Sequence, residues 1–284
     1  MARLINGLKI SNEFIAEIAN RVDEVKERGV SPKLAVIHIG DHDNAEVDIS
    51  TKKRLAEHAG ISVVDYQFDE NVKEPELLKL IDSLNSDSKV HAILLQSPLP
   101  KRLSFRDVVN AISPEKDVDG LTTLNQGRLF SGEPGIIPCA PLGVLHLLRI
   151  VHNSISGMHA VVIGRSSTVG RPLSQLLLNA NCTVTLLHSY SRDLEEICKT
   201  ADILISAVGK PKFVDENFIK PGATVIDIGV TKVDDGSGNQ KLVGDVDFEN
   251  VLSIAGAITP VPNGVGPMTA AYLLHNTLKL ACCY

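Results

Sequence analysis

Hydrophobic residues recur along this chain with two periods, and the periods take turns. Phe14, Ile15, Ile18, Val22 and Val25 fall at helical spacing, which predicts a helix opened by Ser11 or Asn12 and ended near Gly29. The uninterrupted run Leu34-Ala35-Val36-Ile37-His38-Ile39, closed by Gly40, predicts a strand buried on both faces. The pattern then predicts a helix over 44–58, a strand over 61–68, an amphipathic helix over 74–84 and a strand at Ala92-Ile93-Leu94-Leu95. Helices and strands in strict alternation imply a parallel sheet, with its cleft at the strand ends near Asp41, Gln96 and the turn Pro98-Leu99-Pro100. The second half repeats the scheme: a linking helix over 141–151, strands at 160–163, 183–187, 202–206 and 224–228, and short strands around the polar loop 234–239. Pro267 is placed to open a last helix running to about Leu280.

The junction after Ala160-Val161-Val162-Ile163 carries the clearest chemistry. Gly164-Arg165-Ser166-Ser167-Thr168-Val169-Gly170 reads as a strand, a tight glycine turn and a helix start, which offers backbone N–H groups and a positive dipole end to a phosphate. The spacing differs from G-x-G-x-x-G, since Ser166 stands where the middle glycine would be, and Ser166 also suits a simple helix cap. The next strand, Thr183 to Leu187, ends at His188-Ser189, where a doubly wound sheet places residues beside the adenosine ribose. An acidic residue there would favour NAD. Arg165, Ser189 and Arg192 instead suit the 2′-phosphate of NADP. The fold class expected is therefore α/β in two domains, an N-terminal parallel-sheet domain and a C-terminal Rossmann-like dinucleotide-binding domain.

Composition narrows the partners. The 284 residues exceed what one core usually supports. A hydrophobic content of 44% with 22% charged residues argues against disorder, and a net charge of −6 argues against nucleic acid or an anionic membrane as partner. No apolar stretch approaches the ~20 residues of a membrane span. The N-terminus lacks a secretory h-region, and Cys139, Cys182, Cys198, Cys282 and Cys283 show no metal-binding spacing. These features point to a cytoplasmic protein with reduced thiols and no metal.

Several motifs occur in order: Gln96-Ser97-Pro98-Leu99-Pro100, Lys116-Asp117-Val118-Asp119-Gly120, Pro138-Cys139-Ala140-Pro141, the Gly164 turn, Ala207-Val208-Gly209-Lys210-Pro211, Asp227-Ile228-Gly229, Gly244-Asp245-Val246, and Thr259-Pro260-Val261-Pro262 through Val265-Gly266-Pro267-Met268-Thr269. Together they resemble the bifunctional methylenetetrahydrofolate dehydrogenase/methenyltetrahydrofolate cyclohydrolase family over essentially the whole chain. The resemblance implies a cytosolic homodimer that oxidises 5,10-methylenetetrahydrofolate with NADP and hydrolyses the product to 10-formyltetrahydrofolate in an interdomain cleft. It also implies a folate-binding domain over 1–140, joined by the last helix at 267–284, and an NADP-binding domain over 141–266.

By the same resemblance Lys52 is the central catalytic group, Gln96 steers it, and Asp119 accepts hydrogen bonds from the pterin's amino edge. Asp48, Pro98, Leu99 and Pro262 would line the folate. Gly164, Arg165, Ser166, Ser189 and Val230 would contact the cofactor. Taken alone, Lys52 also reads as a solvated helix lysine, Asp119 as the carboxylate of an Asx-turn and Gln96 as a strand-end cap.

The chain departs from the family pattern at several positions. Asp48 stands for the tyrosine four residues before the lysine, Ala45 and Glu46 for serine and glutamine, Ala140 for threonine, and Asn263 for the first glycine of Pro-Gly-Gly-Val-Gly-Pro. These losses keep open a second class of function, a degenerate homologue that binds or regulates without catalysis. The tyrosine's stacking on folate is worth about 1 kcal/mol. At i, i+4 spacing Asp48 would also favour the ammonium form of Lys52, the wrong form for a base. Cyclohydrolase activity is therefore expected to suffer more than dehydrogenase activity, and Asp48→Tyr should raise it. Methenyl-folate decay across pH, corrected for the uncatalysed rate, checks this; a variant no faster than the parent would refute the charge-pair argument.

Overall fold

In the computed structural model, residues 2–40, 43–234, 236, 238 and 240–282 are described, without the side chains of 43–49. The chain forms β1 (Arg3–Leu4), α1 (Gly7–Glu27), β2 (Lys33–Ile39), α2 (Asp43–His58), β3 (Ser62–Phe68), α3 (Glu74–Ser86), β4 (Ala92–Leu95), α4 (Phe105–Asn110), α5 (Thr123–Ser131) and α6 (Cys139–Val151). It continues through β5 (His159–Ile163), α7 (Gly170–Asn179), β6 (Thr183–Leu187), α8 (Leu194–Cys198), β7 (Ile203–Ser206), β8 (Thr224–Asp227), β9 (Thr231–Asp234), β10 (Gln240–Val243), α9 (Phe248–Val251), β11 (Ala257–Ile258) and α10 (Val265–Ala281). Two compact units result, residues 12–139 with 270–284 and residues 1–11 with 140–269.

The first unit holds a parallel sheet in the order β3-β2-β4. Strand β2 shows why the run Leu34–Ile37 is apolar on both faces. Leu34 and Val36 pack with Ile15, Ile18 and Val22 of α1 and with Leu274 and Leu278 of α10. The alternate residues Ala35, Ile37 and Ile39 pack with Leu77 and Ile81 of α3 and with Val108 of α4. A central strand sandwiched between helices has no polar face to show.

The second unit is a six-stranded sheet in the order β1-β11-β8-β7-β5-β6, with all neighbouring pairs parallel, plus an antiparallel β9–β10 hairpin. Residues 1–11 group here rather than with the first unit, because Arg3 and Leu4 pair with Ala257 and Ile258. Helix α1 also starts earlier than Ser11 or Asn12. Asn6 Oδ1 accepts from Lys9 N at 2.9 Å, and the buried Ser11 hydroxyl donates to Leu8 O. Gly7 fits at that start because a Cβ would stand 1.8 Å from Gly264 O. Among the described residues no helix is long and apolar enough to cross a membrane.

Asn263 occupies φ +76°, so the departure from glycine is accommodated by one of the few side chains that tolerate the left-handed region. Its carbonyl accepts from Leu8 N, fixing the turn. Asn263→Ala should cost about 1 kcal/mol, whereas Asn263→Gly should lie within about 0.5 kcal/mol of the parent. Urea denaturation of the two variants distinguishes them; equal losses would remove φ as the cause.

Candidate active site

Helix α2 and the end of β4 bring two of the expected groups together. Lys52 Nζ donates to Gln96 Oε1 at 3.0 Å, and Gln96 Nε2 donates to Ser97 O at 3.2 Å, which fixes the amide's orientation. Lys52 is half-buried rather than freely solvated, while its neighbour Lys53 is paired with Asp65. Beyond Gln96 the chain turns through a cis Ser97–Pro98 bond; Pro98 is exposed, and Leu99 packs partly against the core beneath β2 and β4. The expectations for Asp48, Ala45 and Glu46 concern side chains outside the described residues.

The Lys116–Gly120 segment divides its labour. The Lys116 ammonium is buried and donates to Leu84 O at 2.8 Å and Asp87 O at 2.7 Å. Asp117 closes the following turn, accepting from Leu121 N, Thr122 N and Asn125 Nδ2. The Asx-type role thus falls to Asp117. Asp119 remains half-exposed, with Gly120 at φ +62° behind it. Cys139, fully buried, senses both the Asp119 carboxylate and the Lys52 ammonium. Burial first, then Asp119's charge and hydrogen bond, hold its thiol well above the usual range. Cys139 therefore lies within electrostatic reach of both candidate groups.

In the second unit, Gly164 at φ +115° lies so close to β7 that a Cβ would stand 2.3 Å from Ala207 O. Gly170 closes on it, a Cβ there meeting Gly164 O at 1.9 Å, so the two glycines six residues apart make one tight turn. Ser166 Oγ accepts from Val169 N and Gly170 N, both at 3.2 Å, so its hydroxyl braces the turn that leads into α7. The Arg165 guanidinium lies 5.8 Å from the centroid of the Tyr190 ring, which joins the ends of β5 and β6. Ser189 beside it is exposed, as are Val230 after β8 and Pro262 in its turn.

The loops around this turn hang on two buried carboxylates whose role the sequence reading had not assigned. Asp227 accepts from Gly229 N, Asp245 N and Val246 N. Asp245 accepts from the Ser206 hydroxyl, Val208 N and Lys210 N. Each carboxylate leans on the other's glycine: a Cβ at Gly229 would stand 2.1 Å from Asp245 Oδ1, and one at Gly244 would stand 1.9 Å from Asp227 Oδ2. The signal available in sequence was an aspartate ending the apolar run Val225-Ile226 and another beside a glycine.

A parallel α/β unit carrying a lysine–glutamine pair and a second α/β unit with a dinucleotide-type strand–turn–helix define an enzyme of the nicotinamide-dependent class. Residues 5–119 match the catalytic domain of tetrahydrofolate dehydrogenase/cyclohydrolase and residues 138–283 match the NAD(P)-binding domain of the same family, and the chain belongs to that family. It is 49% identical to the bifunctional protein FolD of a Bradyrhizobium species, over 99% of this chain and 96% of that protein. The corresponding Wolbachia pipientis protein is 50% identical over the same shares. Among solved structures, the bifunctional FolD enzyme from Campylobacter jejuni superposes with a TM-score of 0.96 at 39% identity, covering 100% of this chain and 99% of that one. The Trypanosoma brucei dehydrogenase-cyclohydrolase, solved with NADP and an inhibitor, gives 0.95 at 35% identity, covering 99% and 98%.

Burial raises the Asp227 carboxyl from 3.8 to about 7; the charge of Asp245 adds to the shift, and the three backbone hydrogen bonds oppose it. Between these values the folded chain holds a proton that the unfolded chain releases. The contribution to stability is complete below about pH 4 and lost as pH rises through about 7, with a slope of about 1.4 kcal/mol per pH unit. Urea unfolding of the parent and of Asp227→Asn from pH 4 to 8 should show the parent losing its advantage across that window. A pH-independent difference would refute the shift.

Proposed function

We propose that this chain oxidises 5,10-methylenetetrahydrofolate to 5,10-methenyltetrahydrofolate with NADP and hydrolyses the product to 10-formyltetrahydrofolate. The observation that carries a catalytic reading over a binding-only one is the 3.0 Å contact between Lys52 Nζ and Gln96 Oε1. A lysine oriented by a neutral amide that is itself anchored on Ser97 O is a proton-handling group with a defined direction. Lys52 would hold or move the proton at the one-carbon bridge and at the water that attacks it. Gln96 would keep the amine on target. Asp119 would accept two hydrogen bonds from the pterin's amino edge, a pairing that fixes the ring's orientation. Pro98, Leu99 and Pro262, with position 48, are assigned to the folate's surroundings by the family resemblance.

The glycine turn suits a dinucleotide, because a Cβ at Gly164 would collide with Ala207 O and no side chain fills the turn at that position. Gly164, Ser166 and Val230 would hold the nicotinamide cofactor. Arg165 and Ser189 would take the 2′-phosphate, the guanidinium being supported by Tyr190. When bound, NADP supplies the hydride acceptor. The four described cysteines, Cys139, Cys182, Cys198 and Cys282, are free thiols, which suits the reducing cytoplasm. The assembly carried by the resemblance is a homodimer.

A spectrophotometric assay of the purified chain with methylenetetrahydrofolate and each cofactor tests the reading. Reduction of NADP is expected to exceed reduction of NAD, with 10-formyltetrahydrofolate as the final product. Arg165→Ala should raise the KM for NADP about tenfold and leave that for NAD unchanged. Absence of reduction with either cofactor would overturn the function, and equal use of both would overturn the phosphate assignment.

A further inference from the structure

Asn276 lies in α10, is 1% exposed, and is flanked by His275 and Thr277 between the buried Leu274 and Leu278. A buried amide is costly unless its donors are used. Asn276 Nδ2 donates to Val118 O at 2.9 Å and to Ile137 O at 3.0 Å, and it lies 3.5 Å from Cys139 Sγ. An amide has two N–H donors, and these two carbonyls take both. The carbonyls belong to different segments, one immediately before Asp119 and the other two residues before Cys139. The same seam is tight elsewhere: a Cβ at Gly120 would stand 2.5 Å from Ile136 O.

Asp119 therefore sits on a backbone segment bound to its neighbour by one side chain from the far end of the chain. The Cys139 thiol lies 3.5 Å from Val118 O and hydrogen-bonds Asp119. Burial keeps that thiol protonated, so its one S–H is shared between Val118 O and the carboxylate beside it.

We propose that Asn276 is a positioning residue for the folate reaction: by clamping the Val118 and Ile137 carbonyls together around Cys139, it sets the direction in which the Asp119 carboxylate faces its ligand. The inference rests on the reading of Asp119 as the folate-binding carboxylate. It extends the site to a residue that falls within the stretch matching the NAD(P)-binding domain yet packs in the first unit.

A double-mutant cycle between Asn276→Ala and Asp119→Asn tests it, read as KM for methylenetetrahydrofolate and dissociation constant for NADP, with folding checked by circular dichroism. Asn276→Ser, which keeps a hydroxyl donor on a shorter arm, replaces the alanine variant if that one does not fold. Each single change is expected to raise the folate KM about tenfold, to leave NADP binding within about twofold of the parent, and to add nothing further in the double variant. Cys139→Ala should give a smaller rise that Cys139→Ser reverses. Independent, multiplying losses in the double variant would show that Asn276 acts on stability alone and would overturn the proposal. If Asp119→Asn by itself leaves the folate KM at the parent value, the reading of Asp119 falls and this role for Asn276 falls with it.

Discussion

Where parallel strands end, their chain turns away and leaves backbone N–H groups that need acceptors in a place water reaches poorly. In the second unit Asp227 and Asp245 meet that need. Between them they accept from Gly229, Asp245, Val246, Val208 and Lys210 backbone N–H groups and from the Ser206 hydroxyl. Two carboxylates this close are tolerable because each is ringed by donors and because Asp227 is held toward its neutral form. The loops after β7 and β8 take their course from these bonds, and so does the position of Val230. Without the pair, the Gly164 turn would face loops with no fixed course, since its closest neighbour is Ala207 O.

The first unit meets the same constraint by other means. Lys116 and Asp117, adjacent and both buried, satisfy opposite kinds of backbone group, the ammonium taking the Leu84 and Asp87 carbonyls and the carboxylate taking the Leu121 and Thr122 N–H groups. Asn276 does the same for Val118 and Ile137. The polar residues of highest burial thus act on the backbone, and Lys52, Gln96 and Asp119, the residues proposed for the chemistry, are the half-exposed ones. In both units, position at the site is a by-product of satisfying peptide groups underneath it.

This division explains what the sequence made legible. Strands buried on both faces advertise themselves as unbroken apolar runs, and β4 falls at Ala92–Leu95 as expected. The alternation with helices gave the parallel sheets, and the glycine turn after β5 was readable because only glycine fits there. Two-residue strands such as β1 and β11 carry no period to detect, so their pairing at the sheet edge emerged only in three dimensions. The start of α1 was misplaced because Ser11 resembles a cap while Asn6 makes the contact. Family motifs marked Lys52, Gln96 and Asp119, whereas Asn276 gave no local sign, its partners being distant carbonyls of residues whose side chains are irrelevant to the contact. Arg165 was legible as a charge, but its support by Tyr190 was not.

The pairing of Arg3 with Ala257 and the packing of Leu274 and Leu278 against β2 have a kinetic side. A chain made from its N-terminus has β2, β3 and β4, with α1 against one face, well before α10 is translated to complete that cover. The other sheet likewise waits for β11 before its first strand finds a neighbour. Neither unit is complete until these late elements are made, so the apolar surface they cover stays exposed on the growing chain until then. The contacts that finish both sheets arrive almost together, because β11 and α10 follow one another near the end of the chain.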